Sequence, residues 1–219
     1  MIKEKKATIV RKHTRHVSVS KKNPSGVTVV DRHIRHLNVK TKEELLKEIK
    51  DSSENKKIIY PHSGPSEFKN ADKYDQIIAE AVDFFNTLFQ IEPPFDPDMI
   101  KALIASESGF RLEPKENNVA LGIAQITKQT LKVLQDPKGE LKENLYKGIR
   151  QKDLLVPEVA IPLMVRWLVR KREIAKVKLN REPTVEEIIL EYKGLLKSKT
   201  NYQERALENF KDKYAKLKK

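Results

Sequence analysis

Residues 95–131 read FDPDMIKALIASESGFRLEPKENNVALGIAQITKQTL, and the pattern of this stretch sets the fold class. Asp96-Pro97 places a side-chain cap and a proline at a helix start, where the cap satisfies one of the first turn's unpaired donors and the proline removes another. Ile100, Leu103 and Ile104 then recur at helical spacing, and the segment stops at Ser108-Gly109. A polar loop over about 113–121 follows, and Thr127 caps a further helix running through about Leu134.

Helical periodicity extends in both directions from there. Tyr74, Ile77, Ile78, Ala81, Val82, Phe85 and Leu88 mark an amphipathic helix over about 71–90 that stops near Pro93-Pro94. Asp136-Pro137-Lys138-Gly139 reads as a turn. Residues 157–178 form a long helix, apolar early and basic later, with Pro162 still in its first turns; Thr184 with Glu187 opens another through Tyr192, and residues 200–217 form the last. The expected body, residues 70–219, is all α.

Upstream the character differs. Residues 7–17 (ATIVRKHTRHV) and 27–37 (VTVVDRHIRHL) form an internal repeat that shares Thr8/Thr28, Val10/Val30, His13/His33, Arg15/Arg35 and His16/His36. Each copy is β-branched, and Asn23-Pro24-Ser25-Gly26 between them is a turn signal, which suggests a β-hairpin or two short extended segments. Thr41 and Glu44 form a capping box for a short helix through about Lys50. Residues 1–50 thus read as a small basic module, and the polar, Pro- and Gly-punctuated residues 51–69 as a linker.

The 219 residues carry 44 Lys and Arg against 31 Asp and Glu, a formal charge of +13, and residues 1–40 alone hold 11 basic and 2 acidic side chains. Such a basic arm suits an anionic polymer, cell wall or nucleic acid, or another protein. His13, Arg15, His33 and Arg35 are its candidate anion-binding residues. Residues 1–59 contain no aromatic side chain, which argues against base stacking on a single strand. The paired His-x-x-His motifs invite a zinc reading, but positions i and i+3 of a strand point to opposite faces and make a poor clamp. No metal site and no cofactor are expected. With no cysteine there is no disulfide framework and no thiol nucleophile. No run of 18 apolar residues is present, so no membrane span is expected, and Met1 to Lys6 lead into no apolar segment of a secretory signal. Any route out of the cell would then be phage lysis, virion packaging or a specialised secretion machine.

Glu107-Ser108-Gly109-Phe110 followed by Gly122-Ile123-Ala124-Gln125-Ile126 resembles the catalytic core of the soluble lytic transglycosylase family, related to goose-type lysozyme, whose pattern is Glu-Ser-x-Phe and Gly-Leu-Met-Gln-Ile. Residues 157–168 (PEVAIPLMVRWL) resemble the family's Pro-x-x-Asn-Ile-x-x-Gly-x-x-Tyr-Leu helix, and 189–194 (ILEYKG) its Ala-Tyr-Asn-Ala-Gly block, which places Tyr192 on the family tyrosine. The similarity covers about residues 72–215 and implies a lysozyme-like, mainly α catalytic domain acting on peptidoglycan. It also implies cleavage of the β-1,4 bond between N-acetylmuramic acid and N-acetylglucosamine, with Glu107 as acid and then as base on the muramic 6-hydroxyl, giving a 1,6-anhydro product.

Glycosidic cleavage asks for a carboxyl that still carries its proton near neutral pH, and the end of an apolar helix suits that need by burial. By carry-over, Ser108 and Phe110 belong to the site; Gln125 would bond near the scissile sugar or Glu107. Gly122 would let the backbone approach the saccharide, and Tyr192 would bond to the glutamate or stabilise developing charge. The chain departs from the family at Glu116, where a serine is usual, at Ala124, and at Lys193 and Gly194; in the long helix it departs at Ala160, Met164 and Trp167, the last expected to be core. Glu116 would turn the enzyme into a water-using muramidase if it lay roughly 6.5–9.5 Å from Glu107. A non-catalytic virion or DNA-binding protein on the same fold is the alternative of another class.

Overall fold

In the computed structural model the described residues are 41–54, 56–64, 67–68, 70–112, 119–136, 146 and 148–217, together with the backbone of 9–10, 13–16, 27–30 and 33–34. The body is helical. Its helices are α1 (Lys42–Ser53), α2 (Asp75–Phe89), α3 (Pro97–Ser108), α4 (Lys128–Gln135), α5 (Pro157–Leu179), α6 (Val185–Tyr192) and α7 (Thr200–Leu217). Short 3-10 turns at Asp72–Tyr74 and Gln151–Leu155 lead into α2 and α5.

Helix starts follow the sequence signals because the caps are local. Thr41 accepts from the Glu44 N–H while Glu44 accepts from the Thr41 N–H, and Thr184 and Glu187 repeat the pair. Asp96 accepts from Asp98 N–H, and Thr127 from Thr130 N–H. Each such bond satisfies a donor that the helix itself cannot, at a typical worth of about 1 kcal/mol.

The core gathers around α5, whose first half is buried almost continuously from Val159 to Val169. Pro162 sits inside this helix, where its missing N–H forgoes one helical bond. Helix α2 packs on α5, α3 on α7, and α5 on α6. Helix α1, grouped on sequence with the N-terminal module, lays Leu45 and Ile49 into this same core against α2 and α5.

Two charged residues of α3 depart from the amphipathic expectation. Lys101 is 1% exposed, and its ammonium donates to His62 O (2.8 Å) and Asp72 Oδ1 (2.6 Å) and pairs with Asp75. Asp98, equally buried, accepts from the His62 backbone N–H and meets its Nδ1, both at 2.7 Å. The stretch read as a linker is therefore fastened to the body at His62. Burial raises the Asp75 carboxyl above its usual value, opposed by Lys101, whereas Lys101 and the Gly64 N–H hold Asp72 below it.

The N-terminal repeat forms strands β1 (Ile9–Val10), β2 (His13–His16), β3 (Val27–Val30) and β4 (His33–Ile34). β1 pairs antiparallel with β4 and β2 with β3, His13 opposite Val30 and Arg15 opposite Thr28, so the two copies pair with each other as a hairpin does. The side chains of His13, Arg15 and His33 and the whole of Arg35 lie outside the described residues, as does the turn expected from Pro137. Among the described residues no helix is long and apolar enough to cross a membrane.

Candidate active site

Glu107 stands one residue before the end of α3, which Gly109 closes in a left-handed conformation (φ 58°) with its N–H on Ala105 O. Beyond the loop, strands β5 (Ala120–Leu121) and β6 (Ile126–Thr127) pair antiparallel, a two-residue ladder too short to read in sequence. The turn between them is Gly122–Gln125, with positive φ at both ends, 69° and 48°.

This turn turns its carbonyls inward, and the residues singled out in sequence satisfy them one after another. Gln125 Nε2 donates to Gly122 O (2.8 Å), Ser108 Oγ to Ile123 O (2.8 Å) and Tyr192 Oη to Ala124 O (2.9 Å). Buried carbonyls left unpaired cost about 1–3 kcal/mol each, so two helix ends and the turn are locked in one arrangement. Ser108 and Tyr192 thus each bond a carbonyl of the turn beside Glu107. Burial, and next the Glu107 charge, push the Tyr192 phenol well above its usual value, so it serves as a neutral donor.

Gly122 leaves no room for a side chain. A Cβ there would stand 1.8 Å from Leu154 O, on the 3-10 turn before α5. The glycine admits that backbone to close packing. Phe110 likewise points away from the cleft: it is buried, stacks on Tyr74 (centroids 6.0 Å apart) and meets Phe68 edge-on at 5.6 Å. Glu116 lies outside the described residues.

A cleft of about 240 Å³ opens at Glu107, lined by Ala120, Gln125, Ile126, Thr127 and Thr130 together with Trp167, Tyr192 and Lys193. Trp167, expected in the core, is half-buried, with one part against the core and one on the cleft. The Lys171 ammonium sits 4.9 Å from its ring centroid. Lys193, the first residue after α6, donates its ammonium to Glu107 Oε1. Sequence marked Lys193 only as a departure from the family block, and that departure was the one signal of its place. Among the described cleft residues Glu107 is the one carboxylate.

Residues 91–161 match the family model described as the transglycosylase SLT domain. This stretch is similar to an SLT domain. It spans α3, the Glu107 carboxylate, the β5–β6 turn and the start of α5, while Trp167, Tyr192 and Lys193 complete the cleft from outside the matched residues. No curated protein and no solved structure gives a significant match. At the level of the family, the SLT domain indicates a lytic transglycosylase-type enzyme acting on peptidoglycan.

Proposed function

We propose that the SLT domain cleaves the β-1,4 bond between N-acetylmuramic acid and N-acetylglucosamine by intramolecular transfer, with Glu107 as both acid and base. The supporting observation is the placement of Glu107 as the one carboxylate among the described residues of a cleft, in the segment that matches the SLT family. The Glu107 carboxyl gives its proton to the glycosidic oxygen as the C1–O bond breaks and the N-acetylglucosamine hydroxyl leaves. The resulting carboxylate takes the proton of the muramic 6-hydroxyl while O6 closes on C1. A 1,6-anhydro ring forms, Glu107 regains its proton, and no water is consumed. One carboxylate serves both halves because its protonation state after the first is the one required for the second.

Trp167 offers an apolar face for a sugar ring beside the polar Gln125 and Thr130, the mixture that saccharide sites use. The deciding experiment is digestion of purified peptidoglycan by the wild type and by Glu107→Gln, with mass spectrometry of the released muropeptides. Anhydro products are expected from the wild type, with at least about a hundredfold loss in the variant, the usual worth of a general acid. Reducing-end products would replace transfer by hydrolysis. Equal release by both proteins would remove Glu107 from the chemistry.

A further inference from the structure

Lys193 and Glu107 are the only charged side chains among the described residues of the cleft. Each is mostly enclosed, at 17% and 18% exposure of the side chain, and they pair with one another. The neighbouring groups are engaged elsewhere. Tyr192 donates to Ala124 O, and Lys171 lies over Trp167 and reaches Glu191, which Lys178 also holds.

The proposed reaction breaks this pair at its first step. Glu107 must carry a proton and direct it at a glycosidic oxygen, and a protonated carboxyl no longer balances the ammonium beside it. Lys193 is then a mostly enclosed cation whose one counter-charge among the described cleft residues has been neutralised, a state that is costly unless another anion is brought in. Among the described residues no other carboxylate lines the cleft, so the anion that fits is one delivered by the substrate itself. Peptidoglycan has such groups: a carboxylate on the stem peptide, or the lactyl carboxylate of a muramic residue stripped of its peptide.

Resting on the transglycosylase reading, we propose that Lys193 is a specificity-determining residue, which leaves Glu107 to bind a carboxylate of the glycan strand and so selects strands that bear one. The ammonium, with three donors, can pass from the Glu107 oxygen to a substrate carboxylate without losing its ionic bond. Binding of the anionic strand and release of the acid are then a single event.

Four substrates test this: intact strands and amidase-stripped strands, each before and after carbodiimide amidation of the carboxylates. Initial rates are read as kcat and KM for wild type, Lys193→Gln and Lys193→Arg, with anhydro ends as the product. A charge-assisted bond of the usual strength corresponds to roughly tenfold or more in kcat/KM. The wild type is expected to prefer the free-carboxylate form by about that factor for one of the two strand types, which identifies the stem peptide or the lactyl group as the source. Lys193→Gln should bring the two forms within about threefold, mainly through KM, and Lys193→Arg should keep the preference. General attraction of a basic protein to an anionic wall survives in Lys193→Gln and so cannot imitate this result.

No preference in the wild type overturns the proposal, and that arm stands however the variants fold. A preference kept intact in Lys193→Gln overturns it also. A faster Lys193→Gln on every substrate makes Lys193 a mere latch and equally removes the selectivity. Absence of anhydro product from wild type on all four substrates strikes the transglycosylase reading itself.

Discussion

Replacing Gly122 by alanine tests the packing that seats the turn against the body. The added Cβ would lie 1.8 Å from Leu154 O and 2.9 Å from Leu154 C, whereas contacts under 3.0 Å essentially do not occur. Both obstacles are backbone, so the two segments must part by about 1 Å or more in an interior with no slack. Overpacking costs typically 1–3 kcal/mol, and a non-glycine residue in the left-handed region (φ 69°) adds roughly 1–2 kcal/mol. The expected loss is about 2–5 kcal/mol, or roughly 5–20 °C in Tm for a chain of this size. Gly194→Ala is the matched control, since Gly194 has φ 74° and nothing within 4 Å of its would-be Cβ. It should show only the conformational part, roughly 1–2 kcal/mol. Thermal and urea unfolding of the two variants beside wild type separate the terms. If Gly122→Ala and Gly194→Ala melt together, the close approach to Leu154 carries no energy and the account of Gly122 is wrong.

Two further outcomes are expected. Tyr192→Phe deprives Ala124 O of its donor and should cost about 1–2 kcal/mol of stability, with a loss of activity that tracks the displaced turn; unchanged stability with a far larger fall in kcat would instead put the hydroxyl in the chemistry. Asp153 is held below the usual carboxylate range first by the Arg150 backbone N–H (2.7 Å) and then by Lys42. Its contribution is therefore present above the ordinary aspartate value and lost as pH falls through the lowered native one. Asp153→Asn should be less stable than wild type by roughly 1–3 kcal/mol near neutral pH, with the gap closing in acid; urea titrations at several pH values that show a constant gap would contradict this.

The sequence by itself settled whatever depends on near neighbours. Capping bonds span two or three residues, so Thr41, Asp96, Thr127 and Thr184 announced the helices they start, and Gly109 announced where α3 stops. The Glu107 and Gly122–Gln125 motifs were legible because their spacing lies within one short segment, the same segment that matches the SLT family. The 3.6-residue period placed the core of α2 but failed on α3, where Lys101 and Asp98 are buried as well. Composition cannot foretell that, because a buried charge is tolerated only when partners from other elements, here His62, Asp72 and Asp75, close around it.

Tertiary structure alone decided the rest, through contacts between residues far apart in the chain. Lys193 reaches Glu107 across 86 positions and Tyr192 reaches Ala124 across 68. A side chain at Gly122 would strike the Leu154 carbonyl, which no local rule could place there. Trp167 is half-buried on an otherwise largely buried stretch of α5 and borders the cleft, a placement set by how distant segments pack. Local hydrogen bonds and periodicity are encoded in residue order, whereas the charge balance and shape of the cleft exist only once distant segments have packed.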